Sequence, residues 1–133
     1  MLDFFFERRR RVLLVRISGV FDEEQSVRLD RAAEQLAARE PDLRAIYDFT
    51  ELEQLAIPAE RIAERARKPT AVAGMRILVA SRAFAGQKGR SFSTTQSNAG
   101  ERAPMVADSI EQAYVLLGLD YKARFERFEP DET

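Results

Sequence analysis

The chain has 133 residues, a net charge of −1, and neither cysteine nor histidine. That length allows one domain with one real core, and that charge gives no electrostatic case for a nucleic-acid partner or a polybasic membrane contact. Without cysteine there is no disulfide framework, thiolate zinc site or cysteine nucleophile; without histidine, Ser-His-Asp and Cys-His hydrolase chemistry are excluded, along with the commonest metal ligand.

Met1-Leu2-Asp3 lacks a basic leader region, and the apolar run Phe4-Phe5-Phe6 is broken at once by Glu7 and the arginines at 8 to 11. No run approaches the roughly 20 apolar residues of a membrane span. The expectation is a cytoplasmic protein with no membrane anchor.

Residues 4–7 read as a first strand and residues 12–17 as a second, stronger one. If they pair, the arginines between them occupy a solvated hairpin turn; the other reading of that run is an anion-binding patch. A strand of three phenylalanines leaves at least one ring on the outer face, and two exposed rings on an edge strand would mark a homodimer contact. Gly19 is expected to end the second strand. Asp22 then looks like an N-cap, with Gln25 as its partner in a capping box. The helix from about 23 to 39 carries Leu29, Ala33, Leu36 and Ala37 as one apolar stripe, and Pro41 stops it.

Residues 43–50 form the strand around which the chain is organised. The run is too short and too rich in Ile46, Tyr47 and Phe49 for a good helix, and helices flank it. It is therefore expected inside a sheet, covered on both faces. Its end delivers Asp48 and Thr50 into a loop, the long connection over 50–57 with scattered apolar residues. Carboxyl ends of central strands are where open α/β sheets usually meet ligands or partners.

Pro58 suits the start of a second helix, with Ile57 and Ile62 closing over it. That helix runs to about Lys68, and Pro69 ends it. Residues 76–80 read as a fully buried parallel strand. Ser81 then opens an unusual segment to Ser97. Phe84, Lys88 and Phe92 share a helical face there, but Gly86 and Gly89 weaken the helix. Residues 103–107 form a short last strand, and Pro104 points to an edge position. Ser109 and Gln112 make a second capping box. Ile110, Ala113, Tyr114 and Leu117 form the last helix's apolar face, and Gly118 caps it. The tail from 120 to 133 is a charged extension, partly disordered towards its end.

The expected order is β-β-α-β-α-β-α-β-α: an α/β domain over residues 1–119, with a mixed, mostly parallel sheet, an N-terminal hairpin and about four helices.

This order is similar to the STAS fold of bacterial anti-sigma-factor antagonists, and more closely to its SpoIIAA-like (STAS/SEC14-like) branch. Four pieces carry the resemblance: Ile17-Ser18-Gly19 before an acidic helix start, Ile46-Tyr47-Asp48-Phe49 with a long connection behind it, residues 76–80 leading into a phenylalanine-containing helix, and residues 108–118 at the end. The family's antagonists carry a phosphorylatable serine in an Asp-Ser-Ser-Gly-type motif at the start of the helix after the central strand. This chain has Asp48-Phe49-Thr50-Glu51-Leu52-Glu53 in that region, with Thr50 its only hydroxyl. The resemblance implies a fold and a role in binding or regulation; the phospho-switch does not carry over.

Other chemistry is thin. Residues 86–91 lack the glycine spacing and the following Lys-Ser/Thr of a phosphate loop. Asp48 with Arg82 and Lys88 could form a polar cluster at the carboxyl edge of the sheet, but no second carboxylate or nucleophile is placed beside it. Phe84 and Phe92 read as core, or as the lining of an apolar pocket if their helix moves. The expectation is therefore a non-enzymatic regulatory or protein-interaction module, needing no cofactor or metal. Its partner surface would be the loop from Asp48 to Glu53 with the start of the segment at Arg82, and the wider partner- or ligand-binding set is Asp48, Phe49, Thr50, Ser81, Arg82, Phe84, Lys88 and Phe92. The alternative is a carrier or sensor of a small apolar or anionic ligand, held between the helix over 81–97 and the sheet.

Overall fold

The computed structural model describes residues 1–67, 70–80, 104–120 and 123–130. The arginine run forms a turn because a buried carboxylate holds it from beneath. Glu7, 4% exposed, accepts the backbone N–H groups of Arg9, at 3.2 Å, and Arg10. Arg11 takes the left-handed φ of 57° that glycine or asparagine usually fills. Its carbonyl accepts the Arg44 N–H at 3.0 Å, and the Arg44 guanidinium donates to the carbonyls of Arg10 and Leu117. This turn joins β1, Leu2–Glu7, to β2, Val12–Asp22, in an antiparallel hairpin.

Asp22 caps α1, Glu23–Arg39, by accepting the Gln25 N–H at 2.9 Å. The capping box is one-sided, because the Gln25 side chain instead accepts from the Met1 amino group at 3.2 Å. Ser26, Leu29, Ala32, Ala33 and Leu36 are the buried face of α1. β3, Arg44–Ala56, leads to α2, Ala59–Arg67, which begins one residue after Pro58. The Pro58 carbonyl accepts the N–H groups of Arg61 and Ile62, so the proline stands at the cap position. β4, Arg76–Val79, and β5, Met105–Ala107, follow. Ser109 caps α3, Ile110–Leu117, and Gly118 ends it at φ 71°. β6, Glu126–Arg127, completes the described elements.

The strands form one six-stranded sheet in the order β5-β4-β3-β2-β1-β6. β2 through β5 run parallel; β1 is antiparallel to both β2 and β6. Among the described residues β5 is an edge strand, as Pro104 implied. Its opposite number is β6, from the charged extension, which pairs with β1 at Phe5 and Phe6.

Alternation along the strands builds two cores. Leu13, Val15, Ile17 and Phe21 of β2 and Ala45 of β3 pack with Leu29 and Leu36 of α1. Val12, Leu14, Ile46, Ile77 and Val79 pack on the opposite face with Ala113 and Leu117 of α3. Phe4 is buried in the first core; Phe5, half-buried, sides with the second. The Phe5 ring lies between two guanidinium groups, Arg16 at 5.5 Å and Arg127 at 5.2 Å from its centroid.

Two expectations are overturned here. Gly19 does not end β2: the strand continues through it to Asp22, and its φ of 70° marks an irregularity in the pairing instead. Nor is 50–57 a loop. β3 runs on to Ala56 beside β2, with two extra residues accommodated as bulges. Arg16 pairs with Asp48 but Ser18 pairs with Glu51, and Gly19 pairs with Leu52 but Val20 with Gln54. Each shift adds one residue to β3. Phe49, Leu52 and Leu55, spaced by three, therefore all join the α1 side of the sheet. The helix expected over 81–97 lies outside the described residues.

Candidate functional site

β4 pairs with β3 only from Ala45 to Asp48. Beyond that point, among the described residues, β2 and β3 continue as a two-stranded ribbon, and Asp48 stands where the ribbon leaves the sheet. It is a buried carboxylate, 9% exposed. One of its oxygens, Oδ1, accepts the Thr50 N–H at 3.0 Å and the Thr50 hydroxyl at 2.7 Å. Thr50 lies inside the first register shift, between the pairs Arg16–Asp48 and Ser18–Glu51. The Asp48 side chain thus supplies an acceptor that the interrupted ladder does not.

Phe49 goes the other way. Its ring meets Phe21 edge-on, with centroids 6.0 Å apart and an interplanar angle of 86°, on the α1 side. Asp48 and Phe49 therefore line opposite faces of the sheet, while Asp48 and Thr50 are held together. Ser81, Arg82, Phe84, Lys88 and Phe92 lie outside the described residues.

The structure adds neighbours that the sequence did not single out. Arg16 is the cross-strand partner of Asp48, exposed on a strand whose other residues from 12 to 17 are buried. That single charge in an apolar run was the available signal. Tyr114 of α3 stacks on Phe125 at 5.7 Å. Burial is the largest influence on the Tyr114 hydroxyl and raises its pKa; Arg16 opposes this, while Glu111 and Asp48 add to it. Arg16, Asp48, Glu111 and Tyr114 thus share one electrostatic neighbourhood on the α3 side.

On the opposite face, burial pushes the Tyr47 hydroxyl up to about 12, with Arg76 pulling it back. A bidentate ion pair of Arg65 with Asp30 fastens α2 to α1, its longer contact being 3.0 Å. At the other end of the strands, Pro41, Asp42, Arg44, Ala73, Gly74 and Met75 line an open hollow of about 330 Å³, away from Asp48.

The Asp48 Oδ1 is committed to Thr50. No group of three His, Cys, Asp or Glu side chains able to hold a metal occurs among the described residues. No described helix is long and apolar enough to cross a membrane.

No protein-family model and no curated protein matches the chain. A solved structure does: the anti-sigma factor antagonist SpoIIAA in its unphosphorylated form. The match has a TM-score of 0.54 at 18% identity and covers 85% of this chain and 94% of that one. With a hairpin, parallel crossovers and helices on both faces of a mixed sheet, the chain has the SpoIIAA-like STAS fold.

Proposed function

We propose that this protein is a non-enzymatic interaction module, acting by binding another protein at the carboxyl end of its sheet. The observation that carries the reading is the fate of Asp48. It is the one carboxylate that the sequence places where an α/β sheet would do chemistry, and its Oδ1 holds the backbone and hydroxyl of Thr50 in a bulge. A carboxylate used that way shapes a surface. The likeness to SpoIIAA, a protein named for antagonising an anti-sigma factor, supports a binding role for the same fold.

The region where α2 begins reads Ile57-Pro58-Ala59-Glu60, with no hydroxyl. Regulation by a phosphoserine at the start of that helix is therefore not part of the proposal.

Affinity capture from the native host under several growth conditions tests the reading. Recovery of a specific partner in stoichiometric amount is the expected result. Recovery of the chain alone under every condition would overturn it.

A further inference from the structure

From Glu51 to Ala56, β3 is paired with β2 on one side, running from Ser18–Glu51 to Asp22–Ala56. On its other side β4 has already ended, opposite Asp48. No strand among the described residues takes its place. A strand side left in this state presents backbone donors and acceptors ready for one more strand.

The charge along that edge is selective. Glu51 and Glu53 are exposed, and neither has an ion-pair partner among the described residues. Glu23 and Glu24, which follow Asp22 at the end of the ribbon, and Glu60 in the first turn of α2 are also exposed. The nearby cation Arg61 is engaged by Glu23 at 3.4 Å and Glu64 at 3.1 Å. A second copy of the chain, pairing through the same edge, would set glutamates against glutamates and be repelled. The second bulge, around Glu53, interrupts the regular ladder and discourages indiscriminate strand addition. What fits is an extended segment with lysine or arginine at alternate positions.

We propose that the edge of β3 from Glu51 to Ala56 receives an extended, basic segment of a partner protein as an added strand. The proposal rests on the interaction-module reading and names the partner's chemistry.

The test is amide hydrogen exchange and fluorescence anisotropy on the full chain with three probe peptides. One alternates lysine and valine, one alternates glutamate and valine, and one carries a central proline in the lysine–valine pattern. The lysine–valine peptide is expected to slow exchange within 51–56, and the other two are not. Glu51→Lys with Glu53→Lys should weaken that peptide by at least about tenfold and favour the glutamate peptide. Glu51→Gln with Glu53→Gln, a milder change at the same exposed positions, should weaken it without reversing the preference.

Equal binding of the proline peptide would overturn strand addition. So would protection only outside 51–56, or none with millimolar peptide. Self-association of the bare chain that protects these same amides would assign the edge to a second copy and also overturn the proposal. Failure here, with a captured native partner still in hand, would leave the interaction module standing and remove only its basic-strand form.

Discussion

Oδ1 of Asp48 accepts both the N–H and the hydroxyl of Thr50, at 3.0 and 2.7 Å, inside the bulge where β3 parts from β4. If this pair is structural, removing it costs stability wherever the partner is. Asp48→Ala is expected to lose about 1–3 kcal/mol, the penalty of leaving part-buried polar groups unsatisfied. Asp48→Asn keeps an acceptor oxygen and should lose less, and Thr50→Val about 1 kcal/mol. Urea unfolding measures all three. An Asp48→Ala protein as stable as the wild type would contradict the account.

The alkaline limb of stability should belong largely to Tyr47. Its folded pKa is raised to about 12 from 10.0, chiefly by burial, so the neutral phenol is the form that the fold accepts. Below pH 10 both states hold the proton and stability is unaffected. Between about pH 10 and 12 the unfolded chain releases it and the folded chain does not, so stability falls as pH rises. The loss approaches about 2–3 kcal/mol for a shift of this size. Tyr47→Phe removes this contribution, and its urea midpoint should fall less over that interval than the wild type's. Identical alkaline curves for the two proteins would refute the assignment.

Two glycines should respond differently to the same change. A Cβ on Gly74 would lie 2.7 Å from both the Arg44 Cγ and the Leu43 carbonyl oxygen, and the backbone there is already tied by a Gly74 N–H to Leu43 carbonyl bond of 2.9 Å. Gly118 has open space but a φ of 71°. Gly74→Ala is a crowding problem, expected to cost about 1–3 kcal/mol. Gly118→Ala is a backbone problem of roughly 1 kcal/mol. Asparagine separates the causes: it tolerates the left-handed region, so Gly118→Asn should be milder than Gly118→Ala, while Gly74→Asn should be worse than Gly74→Ala. Thermal melts of the four variants decide it.

Glu7 should matter more than its place among surface arginines implies. It is buried and accepts two turn N–H groups. Glu7→Ala is expected to lose about 1 kcal/mol, the size of a part-buried hydrogen-bond contribution, and Glu7→Gln noticeably less because its amide oxygen can still accept. Denaturant titration of the pair checks the order; equal losses would mean that the hydrogen bonds are not the cause.

The parts of this fold that were legible in the sequence are those whose signals are local. Asp22 and Ser109 are caps because short polar side chains there accept an N–H three residues on, and Gly118 ends its helix in the left-handed conformation that glycine favours. Ile46, Ile77 and Val79 lie in a core covered by a helix, as their unbroken apolar runs implied. What escaped was the far half of β3. Its apolar residues Phe49, Leu52 and Leu55 recur every third position, which matches neither a flat strand nor a long helix. Two bulges reconcile that spacing with one sheet face, and they are set by the pairing with β2, which no local pattern records. For the same reason Asp48 and Thr50 are expected to open into a loop, whereas the strand continues past them, ties Asp48 to Thr50 and sends Phe49 to the other face. β6 escaped for a related reason: two exposed polar residues, Glu126 and Arg127, become a strand only because β1 offers its edge.

Affinity capture from the native host, run in parallel with the wild type and the Glu51→Lys, Glu53→Lys chain, tests the central claim most directly. A protein retained by the wild type and lost on charge reversal, with both chains folded by circular dichroism, is the expected result. Capture of the same proteins by both chains, or of nothing beyond the chain itself, would contradict a partner site on the β3 ribbon.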